Sequence, residues 1–181
     1  VEELATMWAP EAEGTITRWN QVNPSWPDAP LTLYGPGADS GTFDYFTDEI
    51  VGEEGASRGD YTASEDDNIL VIGVEGDPNA LGYFGYAYYA ENADLLQAVA
   101  VDSGDGPVAP SATTVNNGTY TPLSRPIFIY VRKDALERPE VSAFVDYYLD
   151  NAPGIVPEVG YVELSAEAYA LGQQLVDDRA V

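Results

Sequence analysis

Leu33-Tyr34-Gly35-Pro36-Gly37-Ala38-Asp39-Ser40-Gly41-Thr42-Phe43-Asp44-Tyr45-Phe46 is the stretch on which the fold turns. Leu31 to Tyr34 reads as a short strand, and the Gly/Pro-rich run Gly35 to Asp39 breaks it into a loop. Ser40-Gly41-Thr42 then opens a helix, because a hydroxyl at the N-cap accepts from the first amides that lack a partner. Phe43, Phe46 and Ile50 fall at i, i+3 and i+7, which makes one face of that helix core. Strand, glycine loop and capped helix in this order point to an α/β sheet.

The same stretch carries the chemistry. The first amides of a helix have no intrahelical acceptors, and the helix dipole places partial positive charge there. Two small hydroxyl residues around a glycine let an oxyanion approach the backbone closely and add side-chain donors to the N–H groups. A tetrahedral anion can thus be held without Lys or His. The plainer reading, a Ser N-cap and nothing more, fits the local pattern as well. The Gly-x-x-x-x-Gly-Lys spacing of a phosphate-binding P-loop is absent.

Outward from this stretch, Val1 to Ala12 reads as a short helix with Leu4, Met7 and Trp8 on one face. Trp19, Trp26, Pro24, Pro27 and Pro30 form a rigid irregular connection. After a polar loop from Gly52 to Thr62, Ser64 is the expected N-cap of a helix with Asp66 and Asp67 in its first turn. Ile69 to Val74 belongs to that helix, although its β-branched residues also suit a strand. Strands are expected over Leu81–Tyr86, Leu96–Val101 and Pro126–Val131, the last apolar enough to be buried. Asp102 to Thr121 reads as loop, and Val141–Leu149 and Ala166–Val176 as amphipathic helices.

Composition excludes much. The 181 residues suffice for one domain with a real core and are marginal for two. There is no His and no Cys, which removes Ser-His-Asp and Cys-His catalysis and any Cys/His zinc site. No cofactor is implied. Asp and Glu total 31 against 7 basic residues, a net charge of −24 that repels nucleic acid and anionic membranes. Lys133 is the single lysine, and the acidic residues are dispersed through apolar-periodic sequence. That pattern suggests salt adaptation, since at about 1 M salt the Debye length is only about 3 Å. No apolar run approaches the ~20 residues of a membrane span. The chain has neither an initiating Met nor a signal-peptide pattern, as expected of a mature chain or an excised fragment. Asp102, Gly104, Asp105 and Gly106 fail the Asp-x-Asp-x-Asp-Gly calcium spacing and read as a turn.

Leu33 to Thr47 closely resembles the anion-binding segment of the PstS phosphate-binding proteins. So do Ser57-Arg58, Asp60 to Asn68 and Ala80 to Tyr86, while Pro122 to Val131 is similar to that family's return strand. These blocks occur in the family's order over nearly the whole chain. The resemblance implies an α/β fold of the periplasmic-binding-protein type II (venus flytrap) kind, a mixed sheet flanked by helices. Residues 1–123 would be its second lobe, and 124–181 a C-terminal return segment belonging to the first lobe. It further implies an extracytoplasmic protein, periplasmic or extracellular, that captures inorganic phosphate for the membrane permease subunits of an ABC transporter.

The phosphate ligands implied are Ser40, Gly41 and Thr42. Many members carry an Arg four residues before the Ser; here that position is Pro36. Arg58 is the candidate replacement, since a guanidinium binds phosphate bidentately, and pairing with a nearby carboxylate is the equal alternative. Asp39 either orients Arg58, accepts a proton from the anion, or closes an Asx turn. The family's first-lobe ligands precede the pattern at which Val1 starts. Without sheet partners the segment after Arg125 would pack on the second lobe, swap with another copy, or pair with a first-lobe segment. Rival functions are a module for another oxyanion or for adhesion, kept open by Pro36, and a carboxylate-dependent hydrolase, which requires a cleft with carboxylates of raised pKa.

Overall fold

A computed structural model describes residues 1–178. Helix α1 (Glu2–Trp8) starts with Glu2 and Glu3 at its positive end and buries Met7 and Trp8. A 3-10 turn, Pro10–Ala12, and a one-turn helix α2 (Trp19–Val22) follow. Strand β1 (Thr32–Gly35) leads into α3 (Gly41–Phe46), which continues without a break as a five-residue π-helical turn, Thr47–Val51. The π turn is held by Thr47, fully buried, whose Oγ1 donates to the Phe43 carbonyl at 2.9 Å and accepts from Gly55 N at 2.8 Å. Strand β2 (Thr62–Ala63), α4 (Asp67–Glu75), β3 (Ala80–Gly82) and α5 (Tyr86–Glu91) complete the pattern.

The three strands form a parallel sheet of order β2-β1-β3, with Tyr34 opposite Thr62 and Leu33 opposite Leu81. Parallel strands require crossovers, and α3 and α4 supply them. The core lies against this sheet: Met7, Trp8, Leu33, Phe46 and Ile50 cluster, with Tyr61, Leu81, Tyr83 and Leu123 packed around them. Trp8 makes edge contacts with Phe46, Tyr61 and Tyr83, and Phe46 stacks on Tyr83 at 3.8 Å. The α/β class expected from the sequence is therefore present. Its main sheet is parallel, and among the described residues antiparallel pairing is found in a two-stranded ribbon, β4 (Val101–Asp102) with β5 (Pro107–Val108), and in a single bridge between Arg18 and Pro30.

Two compact units divide the chain: Val1–Pro110 with Tyr120–Leu123, and Ser111–Thr119 with Ser124 onward. The second contains α6 (Ala112–Asn116), a 3-10 turn Ala135–Glu137, α7 (Pro139–Glu158) and α8 (Ala166–Asp177). Pro139 at the first position of α7 suits a helix start, where its missing N–H costs nothing.

Several expectations fail locally. Leu81–Tyr86 is strand only to Gly82, and Tyr86 already begins α5. Of Leu96–Val101 only Val101 is strand, because its single partner is the short β5. The expected loop 102–121 contains β5 and α6. The N-cap of α4 is Asp66, which accepts from Asn68 N; Ser64 instead accepts from Asp66 N in the turn before it. The largest departure is Pro126–Val131, which is neither strand nor buried: Phe128 is 64 % and Tyr130 91 % exposed. Among the described residues no strand pairs with it, and an unpaired apolar strand has nothing to hold it extended.

Candidate oxyanion-binding site

The loop after β1 is shaped by what lies beneath it. Gly35 must lack a side chain, because a Cβ there would sit 2.8 Å from Tyr83 Cε1 and 3.3 Å from Trp8 Cη2. Its carbonyl accepts from Ser64 N at 3.2 Å, which ties the loop's root to β2. Pro36 is almost fully buried, and its carbonyl accepts from Tyr61 Oη at 2.8 Å. A turn from Gly37 to Ser40 is closed by Ser40 N donating to Gly37 O at 3.1 Å. Ser40 is extended (φ −97°, ψ 127°), and its Oγ accepts from Thr42 N at 3.2 Å while Asp44 N reaches its carbonyl at 3.1 Å.

Ser40 is half-buried, and Asp39, Gly41 and Thr42 are exposed. The helix packs Phe46 into the aromatic core and buries Phe43 as well, which anchors its first turn on a rigid platform. The helix dipole adds partial positive charge there.

The sheet order strengthens this placement. From β1 the chain winds to β2 on one side and then across to β3 on the other, so the winding reverses at β1. In open α/β sheets ligands bind beyond the carboxyl ends of the strands at such a reversal, and the Pro36–Thr42 loop leaves the carboxyl end of β1.

Arg58 requires a correction. It is 5 % exposed, and its guanidinium is spent inside the fold. Nε and Nη2 fork onto both carboxylate oxygens of Asp60, and Nη1 donates to the carbonyls of Met7 at 3.1 Å and Ile16 at 2.9 Å. Its backbone N–H donates to Trp8 O at 3.1 Å. Asp60 also accepts from Gly14 N, and Glu13 from Gly59 N. Arg58 is the pin joining the end of α1 to the 57–60 loop. A group with these donors occupied cannot reach an anion without dismantling its surroundings. Asp39, next to Ser40 in the chain, is exposed.

Two residues of this wall were not singled out by sequence reasoning. Tyr61 supports the Pro36 carbonyl, and burial followed by the charge of Glu65 raises its pKa. Glu65 lies across Gly37, where a Cβ would be 2.0 Å from Oε1. Asp67 sits half-buried close by, its pKa raised by burial and further by Asp66 and Glu65, with the Gly85 amide acting the other way. The signal was the parallel register of β1 on β2, which sets residues 64–65 beside 36–37, and no sequence pattern spells out a parallel register. The calcium-like run is a turn: Asp102 Oδ1 accepts from Gly104 N at 2.8 Å and Gly106 N at 3.0 Å.

A parallel sheet with a glycine loop and a capped helix at its winding reversal is an α/β lobe of the open-sheet class. The chain belongs to the PBP superfamily, whose domain model matches residues 12–152. It is 56 % identical over 174 residues to protein SphX of Synechocystis, covering 96 % of this chain and 52 % of that protein. It is 32 % identical over 169 residues to the phosphate-binding protein PstS of Staphylococcus saprophyticus, covering 91 % of this chain and 51 % of that one. A crystal structure of a possible phosphate binding protein from Planctomyces limnophilus superposes with a TM-score of 0.89 at 43 % identity, over 99 % of this chain and 64 % of that one. The chain thus spans about half the length of the curated relatives it matches.

Proposed function

We propose that this chain is the second lobe, with the C-terminal return segment, of an extracytoplasmic solute-binding protein that captures inorganic phosphate for an ABC importer. The observation that carries this reading is Ser40-Gly41-Thr42 starting a helix at the winding reversal of the sheet. The likeness to a phosphate-binding protein of Staphylococcus saprophyticus and a possible one of Planctomyces limnophilus supports the ligand. The role is binding without catalysis, at a periplasmic or extracellular location, with membrane permease subunits as partners.

In this reading the Ser40 and Thr42 hydroxyls and the Gly41 and Thr42 amides donate to phosphate oxygens, and the helix dipole favours the negative charge. Ser40 Oγ releases Thr42 N when an anion arrives. Asp39 accepts from a protonated phosphate oxygen, where sulfate would leave an acceptor facing an acceptor. Arg58 holds the wall in shape without touching the ligand. Half a clamp leaves much of the anion solvated, so tight binding needs the other lobe. Residues 124–181 belong with that first lobe, whose strands would cover Pro126–Val131; the exposed Ile127, Phe128 and Tyr130 support this assignment. The dispersed acidic surface fits a salt-adapted protein.

Pro36 in place of the family's Arg favours a second reading, a site tuned to another oxyanion. Calorimetry on the full-length protein with phosphate, sulfate and arsenate separates the two. Phosphate binding that falls at least about tenfold in Ser40→Ala or Thr42→Val supports the proposal. Sulfate binding as tight as phosphate, or an unchanged phosphate affinity in both variants, contradicts it.

A further inference from the structure

We propose that Glu65 is a specificity-determining residue of this wall: its carboxylate, seated on Gly37, disfavours oxyanions that carry two full charges and so favours a protonated one. The inference rests on the phosphate reading and deepens it. Glu65 Oε1 and Cδ would lie 2.0 and 2.9 Å from a Cβ on Gly37, so the carboxyl group rests on the backbone of the turn whose carbonyl accepts from Ser40 N. The position is imposed by the sheet, since Gly35 pairs with Ala63 and binds Ser64 N.

The charge of Glu65 acts on its surroundings. It opposes ionisation of Tyr61, whose hydroxyl holds the Pro36 carbonyl, and of Asp67 at the start of α4. Asp66 adds to the same field at Asp67. The basic side chain nearest in sequence, Arg58, is already matched by Asp60. A negative charge beside an anion seat repels each charge on the ligand separately, so a dianion is penalised twice as heavily as a monoanion.

Glycine at 37 is what admits the carboxylate. Gly37→Ala would place a methyl group in that volume, and the flexible end of Glu65 would swing away into solvent. Gly37→Ala, which moves the charge, and Glu65→Gln, which deletes it, should therefore share one phenotype.

The test is calorimetry on the full-length protein, Glu65→Gln and Gly37→Ala in low-salt, mildly acidic buffer, where inorganic phosphate is mostly the monoanion. Both variants are expected to bind sulfate about tenfold more tightly than wild type, with phosphate affinity changing by roughly threefold or less. A Glu65→Gln protein with the wild-type phosphate-to-sulfate ratio overturns the proposal while leaving the phosphate reading intact. A shift in Glu65→Gln without one in Gly37→Ala overturns the seat on Gly37. A wild type that binds neither anion overturns the phosphate reading, and this inference falls with it.

Discussion

Arg58 and Ser40 look equally suited to an anion when written as letters, and the difference between them lies entirely in their neighbours. Asp60 stands two residues from Arg58, near enough for a chelating fork, and the carbonyls of Met7 and Ile16 take both donors of Nη1. Those carbonyls are distant in sequence, so the local pair was legible and the buried pin was not. Arg58→Met should destabilise the fold by about 3 kcal/mol, because it strands two carbonyls and removes the ion pair. Urea unfolding measures this, and the phosphate affinity of the folded fraction should stay at the wild-type value. Asp60 has its pKa lowered from 3.8 to about 2, chiefly by the Arg58 hydrogen bond. A carboxyl depressed in the folded state contributes stability above its unfolded value and loses it in acid. The stability gap between wild type and Asp60→Asn should therefore be full above pH 3.8 and close as the pH falls through about 2. Acid titration of both proteins reads it directly.

Elements whose partners lie nearby in sequence were readable, and those needing distant partners were not. The strand–loop–helix of residues 31–50 follows its capping and periodic signals, with boundaries shifted by a residue or so. Ile69–Val74 is helix despite its β-branched residues, because Asp66 caps it and Leu70 and Val71 bury one face. Pro126–Val131 reads as a buried strand from its apolar content alone, yet a strand also needs a neighbour, which no run of side chains reports. Close packing between elements was equally hidden. A Cβ on Gly73 of α4 would come within 2.2 Å of the Tyr34 ring on β1, so glycine sets how tightly this helix lies on the sheet. Gly73→Ala should destabilise the protein by about 2 kcal/mol, the overpacking cost outweighing the roughly 1 kcal/mol alanine gains as a helix former. Chemical denaturation checks the sign; a stabilised variant would show that α4 floats more freely than its contact with Tyr34 implies.

At the scale of the molecule, a net charge of −24 on 181 residues opposes compaction unless screened. The thermal midpoint of the full-length protein should rise steeply between about 0.1 and 1 M salt, and indifference to salt would contradict salt adaptation. Residues 126–131 should exchange their amides rapidly in the isolated chain and become protected in the full-length protein, as hydrogen exchange can show. Persistent exposure there would contradict their assignment to the first lobe. The central claim, an oxyanion wall at Ser40-Gly41-Thr42, is most directly tested by titrating inorganic phosphate into the full-length, isotope-labelled protein and following its amide resonances. The largest shifts should fall on Ser40, Gly41 and Thr42, with the Arg58 amide little moved. Saturable shifts confined elsewhere, with those three amides unmoved, would contradict it.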